Sequence, residues 1–121
     1  MDKRNFVVYV AGPYSGVTRR QTRDNISHAI EVGEAIRVLG FSAIVPHIES
    51  HGCENCLSEK GWYDHGIALM SRCDVVFDFR YGRRSNGTEK EVKIAEKLGI
   101  PIVINLIELN RLYEELRDGR N

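Results

Sequence analysis

Ser85-Asn86-Gly87-Thr88-Glu89-Lys90-Glu91 follows the apolar run Asp74-Val75-Val76-Phe77-Asp78-Phe79 and opens a helical stretch. This order places Glu91 in the first turn of a helix at a sheet edge. An ionised carboxylate there would face unpaired backbone N–H groups and the positive end of the helix dipole, a bias of about 0.3 to 1 kcal/mol towards the charged, attacking form. Glu91 is therefore a candidate nucleophile. The same letters also spell a capping box from Thr88 to Glu91, in which the carboxylate only bonds back to the N-cap amide. On this segment alone the cap is the simpler reading.

Three other stretches carry residue types able to do chemistry. Gly12-Pro13-Tyr14-Ser15-Gly16-Val17-Thr18-Arg19-Arg20 combines glycines, hydroxyls and two arginines. Such a loop can surround a phosphate with amides and charge, or simply be solvated; it lacks the Gly-Lys-Ser/Thr ending of a Walker loop. Pro46 to Cys56 holds His47, His51, Cys53 and Cys56, all zinc-ligand types. Their spacing is more crowded than usual paired motifs and no second pair closes a finger, so no metal is expected. His47 is instead a candidate pocket residue. Trp62 and Tyr63 can stack on a base, but aromatic residues opening an amphipathic helix more often anchor a core; the Tyr9 hydroxyl, near a strand end, can bond a carboxylate. Cys73, just before a strand, reads as a small core residue.

The elements that must position these groups are legible from periodicity. Phe6 to Ala11 is a β-branched and aromatic run stopped by Gly12-Pro13. From about Thr22 to Leu39, apolar residues recur at helical spacing and Gly40 ends the helix. Phe41 to Val45 reads as a second strand ending at Pro46, Trp62 to Met70 as a helix and Asp74 to Phe79 as a third strand. A helix marked by Val92, Ala95 and Leu98 follows, then the strand Pro101 to Ile104, a last helix near Leu106 to Leu116, and a frayed tail from Arg117 to Asn121. Strict β-α alternation with strands apolar on both faces predicts a flavodoxin/Rossmann-like three-layer α/β/α sandwich whose parallel sheet has the order 2-1-3-4. In such a sheet the ligand lies beyond the carboxyl ends of strands one and three, which carry Gly12 to Arg20 and Arg80 to Glu91.

The 121 residues, 42% of them hydrophobic, suit a single domain over residues 1–121 with a substantial core. Seventeen basic residues balance seventeen acidic ones, leaving no general field to hold a nucleic acid polymer or an anionic membrane. No apolar run is long enough to span a bilayer and no basic leader precedes one, so a cytoplasmic location is expected. Three cysteines in such a setting argue against a disulfide framework.

Taken together, Tyr9-Val10-Ala11-Gly12-Pro13-Tyr14, Pro46-His47, Cys73-Asp74-Val75-Val76 and Ser85-x-Gly87-x-x-x-Glu91, with Ala95 and Gly99-Ile100-Pro101, resemble the nucleoside 2-deoxyribosyltransferase superfamily over roughly residues 6–105. Its members exchange bases on deoxyribonucleosides or cleave nucleoside 5′-monophosphates. The resemblance implies that Glu91 attacks the anomeric carbon, that Tyr9 lies against it, and that the protein is a homodimer or higher assembly needing no cofactor. Transferase members tend to have Asp where this chain has Ser85, whereas nucleotide hydrolases have Ser. A carboxylate there would repel a 5′-phosphate and a serine can donate to it. One position departs from the pattern: many members carry Asp eight residues before the position of Asp74, and this chain has Gly66. Asp64, roughly 200° away around a helix, is no simple substitute.

The resulting expectation is an N-glycosidase or deoxyribosyltransferase that cleaves or transfers at the glycosidic bond of a nucleoside 5′-monophosphate or nucleoside through a covalent glycosyl-Glu91 intermediate. Tyr9 would orient Glu91. Gly12, Tyr14, Ser15, Gly16, Arg19, His47, Ser85 and Gly87 would bind substrate, and Asp64, then His65, then His47 are candidates to protonate the leaving base. The alternatives are a catalytically impaired nucleotide-binding module on the same fold, a phosphoribohydrolase of the cytokinin-activating type, whose Gly-rich turn resembles Gly87-Thr88-x-x-Glu91, and a zinc-stabilised interaction domain built on His47 to Cys56.

Overall fold

The computed structural model describes residues 2–50 and 52–119. After a 3-10 turn at Lys3–Asn5 the elements are β1 (Val7–Ala11), α1 (Arg19–Val38), β2 (Ser42–Ile44), α2 (Pro46–Ser50), α3 (Glu59–Met70), β3 (Val75–Asp78), α4 (Asn86–Leu98), β4 (Ile102–Val103) and α5 (Leu106–Gly119). All strand pairs are parallel and the sheet order is β2-β1-β3-β4. This is the predicted order. Tyr9 pairs with Ile44 on one side and Val76 on the other, which puts β1 at the centre and the switch in direction between β1 and β3.

The side chains of β1 alternate between two cores, as the period of two requires. Val8 and Val10 join Phe77, Phe79, Ile36, Leu109 and Tyr113 on the face covered by α1 and α5. Tyr9 and Ala11 join Val76, Met70, Cys73 and Ala95 on the face covered by α3 and α4. Cys73 is thus a core residue, and the parity of Tyr9 sends its ring towards α4, the helix that carries Glu91.

Several local expectations are corrected. Pro46 does not merely end a strand; it opens α2, as a residue with φ preset near helical values and no N–H to satisfy can do at a first helical position. The stretch from Pro46 to Cys56 that holds the zinc-ligand types therefore begins with a helical turn. Helix α3 starts at Glu59, three residues before Trp62, because Ser58 caps it through the Gly61 amide. The last helix continues through Gly119 rather than fraying at Arg117, and the rest of the expected tail, Arg120 and Asn121, lies outside the described residues.

Helix α1 begins at Arg19, earlier than the apolar spacing indicates, because Thr18 and Gln21 form a capping box. Thr18-x-x-Gln21 is a sequence signal that would have located this start.

Candidate active site

Glu91 lies in the second turn of α4, not the first. The N-cap is Ser85, whose hydroxyl accepts from the Thr88 amide at 3.2 Å, so the predicted cap from Thr88 to Glu91 does not form. Released from capping, Glu91 accepts a 2.9 Å hydrogen bond on Oε2 from the Tyr9 hydroxyl. The expected bias of Glu91 towards its charged form is also overturned. Desolvation is the main influence and raises its pKa to about 7; the Tyr9 hydrogen bond lowers it and the nearby Asp78 charge raises it. Burial, with Glu91 alongside, pushes the Tyr9 phenol upward, so that it remains a hydrogen-bond donor.

Two cavities meet at Glu91. The larger, about 500 Å³, runs between the end of β1, α2, α3 and α4. Its walls include Tyr9, Tyr14, Trp62, Tyr63, His65 and Glu91. Trp62 and Tyr63 therefore face this space instead of anchoring the core, and Tyr63 is 51% exposed. The indole N–H of Trp62 donates to the Glu54 carbonyl at 2.9 Å, and the Tyr14 hydroxyl donates to Glu54 Oε2 at 3.0 Å. Flat aromatic groups on opposing elements make a slot suited to a planar ring.

The smaller cavity, about 440 Å³, is bounded by Gly12 to Ser15 on one side and Arg84 to Thr88 on the other, again with Glu91. It sits over the start of α4, where the Asn86 and Gly87 amides have no partner within the helix. The Ser85 and Thr88 hydroxyls are 2.7 Å apart; with Thr88 donating, the Ser85 hydrogen is free for a ligand. An anion fits this lining, with Arg84 supplying the positive charge.

Arg19 and Gly16 are not brought to either cavity. Arg19 is the exposed first residue of α1. The amides of Gly16, Val17 and Thr18 are directed to α1 side chains, at 2.9 Å from Thr22 Oγ1 and at 2.6 and 3.3 Å from Gln21 Oε1 respectively. The loop after β1 is thus tied to its own helix and does not cradle a phosphate with those amides. Gly12 is required for packing as well as for lining, since a Cβ would overlap the Phe79 ring.

The three candidate proton donors separate cleanly. Asp64 projects outward and pairs with Lys60 Nζ at 2.6 Å, outside both cavity linings. His47 is buried behind the β1 loop, where its Nε2 lies 3.0 and 3.1 Å from the Gly12 and Pro13 carbonyls. Desolvation lowers its pKa despite those bonds, so it is a neutral ring whose Nε2–H supports the loop. Neither cavity lining includes it. His65 does line the larger cavity, with Nε2 2.8 Å from Glu49 Oε1.

Sequence reasoning missed Glu49, Glu54 and Arg84 at the site, and also a support beneath it. Arg80 forks onto Asp78 at the end of β3, at 2.7 to 3.1 Å, and reaches Glu89 Oε2 at 2.7 Å. The guanidinium ties the sheet end to α4 and lowers the pKa of Glu89. The alternation of charge in Asp78-x-Arg80 next to a strand end was its only sequence signal.

Cys53 and Cys56 are joined as a disulfide, with Cα atoms 5.4 Å apart. The expectation that argued against a disulfide framework does not hold for this pair. The tight Cys-x-x-Cys turn brings the two within bridging range without help from the rest of the fold. Among the described residues no group of three or more His, Cys, Asp or Glu side chains could hold a metal ion, and His51 lies outside them. Nor is any described helix long and apolar enough to cross a membrane.

Comparison with known proteins agrees with this architecture. A solved structure of a 2-deoxyribosyltransferase from the psychrotolerant bacterium Bacillus psychrosaccharolyticus is similar with a TM-score of 0.60 at 18% identity, over 84% of this chain and 78% of that one. The likeness is one of fold. No curated protein matches the chain. Residues 6–104 match the family described as "Domain of unknown function (DUF4406)", and with most of its length covered the chain belongs to that family.

Proposed function

We propose that this protein cleaves or transfers at the N-glycosidic bond of a nucleoside 5′-monophosphate through a covalent glycosyl-Glu91 intermediate. The observation that carries this function is the position of the Tyr9–Glu91 pair at the junction of an aromatic cavity and a helix-start cavity. A nucleotide has the same division: a flat base, a 5′-phosphate and an anomeric carbon between them. The base lies in the larger cavity among Tyr14, Trp62 and Tyr63. The phosphate takes the Asn86 and Gly87 amides, the Ser85 hydroxyl and Arg84.

The chemistry follows from the electrostatics. With Oε2 held by Tyr9, Oε1 of the ionised Glu91 attacks the anomeric carbon, the carbon–nitrogen bond breaks and its electron pair leaves with the base. The transition state has oxocarbenium character, and the carboxylate beside it offsets the developing positive charge. Water resolves the glycosyl ester in hydrolysis; a second base does so in transfer. Desolvation keeps the ionised carboxylate poorly solvated and reactive, although only part of the population is ionised at neutral pH. No metal or organic cofactor takes part, and the working assembly is a homodimer.

The test is incubation with the ribo- and deoxyribonucleoside 5′-monophosphates and their nucleosides, read by release of free base and by intact mass of the quenched protein. Base release together with a phosphosugar adduct on Glu91 is expected. Tight binding of a nucleotide with no turnover would favour the binding-module alternative, for which Gly66 in α3 is the supporting feature.

A further inference from the structure

Breaking a glycosidic bond to a nucleobase leaves negative charge on the base unless a proton reaches it. Neither Asp64 nor His47 can deliver one in this structure: the first is turned outward onto Lys60 and the second is spent on two carbonyls behind the β1 loop. His65 has what the others lack. It lines the aromatic cavity in which the base is proposed to lie, its ring packs edge-on against Trp62 with centroids 5.7 Å apart, and its Nε2 is fixed at 2.8 Å by a carboxylate from a different helix.

Resting on the nucleotide-cleaving function above, we infer that His65 is the catalytic acid and Glu49 its positioning residue. Glu49 Oε1 accepts from the Nε2–H of His65 and sets the ring plane, leaving Nδ1 to carry the working proton. As Glu91 forms its bond to the anomeric carbon, the carbon–nitrogen bond breaks and the Nδ1 proton passes to a ring nitrogen of the base. A neutral imidazole remains. In hydrolysis it removes a proton from the water that attacks the glycosyl ester, the bond to Glu91 breaks with its electrons returning to the carboxylate, and His65 is protonated again. Histidine suits both halves because a ring nitrogen can first give up a proton and then accept one while the other nitrogen stays bonded.

The location explains how α3 can lack a carboxylate at position 66. A Cβ built on Gly66 would meet only the Tyr9 hydroxyl, at 3.5 Å, so this wall of the cavity is open space beside the nucleophile's partner. His65 and Glu49 then supply the acid from one position earlier on α3 and from α2. Besides Glu49, the charged groups that share the cavity with His65 are Glu54 ahead of α3, Glu59 at its first position, and Lys90 and Glu91 on α4. Their fields act alike on both substrates of any one variant, so the two substrates are compared within each variant.

The experiment compares the wild type with His65→Gln, Glu49→Gln and Glu91→Gln on two kinds of substrate. One is a set of natural nucleoside 5′-monophosphates; the other is 4-nitrophenyl ribofuranoside 5-phosphate and its 2-deoxy counterpart, whose leaving group departs without a proton. His65→Gln is expected to lower kcat on nucleotides by about 10²- to 10³-fold while changing the rate of the first-turnover burst of nitrophenol, which reports formation of the glycosyl ester alone, less than about 5-fold. Glu49→Gln should lower kcat on nucleotides by roughly tenfold with KM nearly unchanged, and shift the His65 imidazole resonances but not those of His28. Equal losses on both substrates, or no loss on either, would overturn the assignment while leaving Glu91 as nucleophile. Full activity of Glu91→Gln, or no turnover of either substrate by the wild type, would overturn the parent function and this inference with it.

Discussion

The Tyr9 hydroxyl donates to Glu91 Oε2 at 2.9 Å across 82 residues of sequence, linking the central strand β1 to helix α4 on the face of the sheet that also carries α3. The bond has two opposed consequences. It fixes one carboxylate oxygen and it offsets part of the desolvation that raises the pKa of Glu91 to about 7. The site is therefore poised near its own titration point, and substitutions at either partner have calculable signs.

Glu91→Gln is expected to abolish turnover and to stabilise the fold in alkaline solution. The folded pKa of about 7 lies above the ordinary 4.5, so between those values the folded protein holds a proton that the unfolded chain has released. Stability from this group is complete below about pH 4.5 and is lost as pH rises through 7, a loss of about 3 kcal/mol at most. Glutamine is neutral throughout and escapes the loss. Chemical denaturation at pH 5 and pH 8.5 checks it: the variant should gain relative to wild type only at the higher pH, and a uniform loss would show that the carboxylate serves the fold.

Tyr9→Phe removes a hydrogen bond that lowers the pKa of Glu91. The ascending limb of kcat/KM against pH, which under the proposed function reports ionisation of Glu91, should therefore move to higher pH. Activity at pH 6 should fall several-fold more than activity at pH 9. An ascending limb that stays in place would mean that Tyr9 does not control the ionisation of Glu91.

The sheet was legible because its signals are redundant. Phe6 to Ala11 and Val75 to Phe79 are apolar on both faces, each ends at a breaker or a charge, and the alternation with helices leaves few right-handed topologies. The switch point then located Tyr14, Ser15, Ser85, Gly87 and Glu91 around one opening. What escaped were features decided by one residue's hydrogen bond. Ser85 rather than Thr88 caps α4, which shifts Glu91 by a turn's worth of environment. Side-chain bonds from Thr22 and Gln21 draw the Gly16 to Thr18 amides away from the cavity. Glu49 was hidden because Pro46 was read as a stop, although proline also suits the first position of a helix. The side that Arg19 faces depended on the helix start, which the capping box of Thr18 and Gln21 sets at Arg19 itself.

The helix-start cavity makes a specific prediction about the 5′ end. Arg84→Ala should weaken binding of a nucleoside 5′-monophosphate by roughly tenfold and leave its nucleoside almost unaffected, as loss of one charge-assisted contact requires. Ser85→Asp should preserve the helix, because Asp is as good an N-cap as Ser, while opposing a phosphate with like charge. Isothermal titration of both ligand forms against the three proteins reads the result. Parallel changes in nucleotide and nucleoside affinity would remove the phosphate from this cavity.

Gly66 offers a stability test of the open wall. It lies inside α3, where glycine costs about 0.5 to 1 kcal/mol relative to alanine, and an added Cβ meets only the Tyr9 hydroxyl at an ordinary 3.5 Å. Gly66→Ala should therefore raise the midpoint of thermal unfolding by a few degrees. A lowered midpoint would show that the space beside Tyr9 is needed by the folded protein.

The Cys53–Cys56 bridge encloses Glu54, whose side chain is held by the Tyr14 hydroxyl and the Gly52 amide and whose carbonyl accepts from Trp62. A bridge across two residues constrains little unfolded chain, so Cys53→Ser with Cys56→Ser should cost at most about 2 kcal/mol. Its larger effect should be local: with Glu54 less firmly placed, the aromatic slot loosens and nucleotide affinity falls a few-fold. Zinc ligation requires thiolates, which a bridged pair does not provide. Elemental analysis of the oxidised protein after tag removal should accordingly find no stoichiometric zinc. One zinc per chain, with unfolding on chelation, would overturn both the bridge and the assignment of this loop to the base cavity, and would favour an interaction domain built on His47, His51, Cys53 and Cys56.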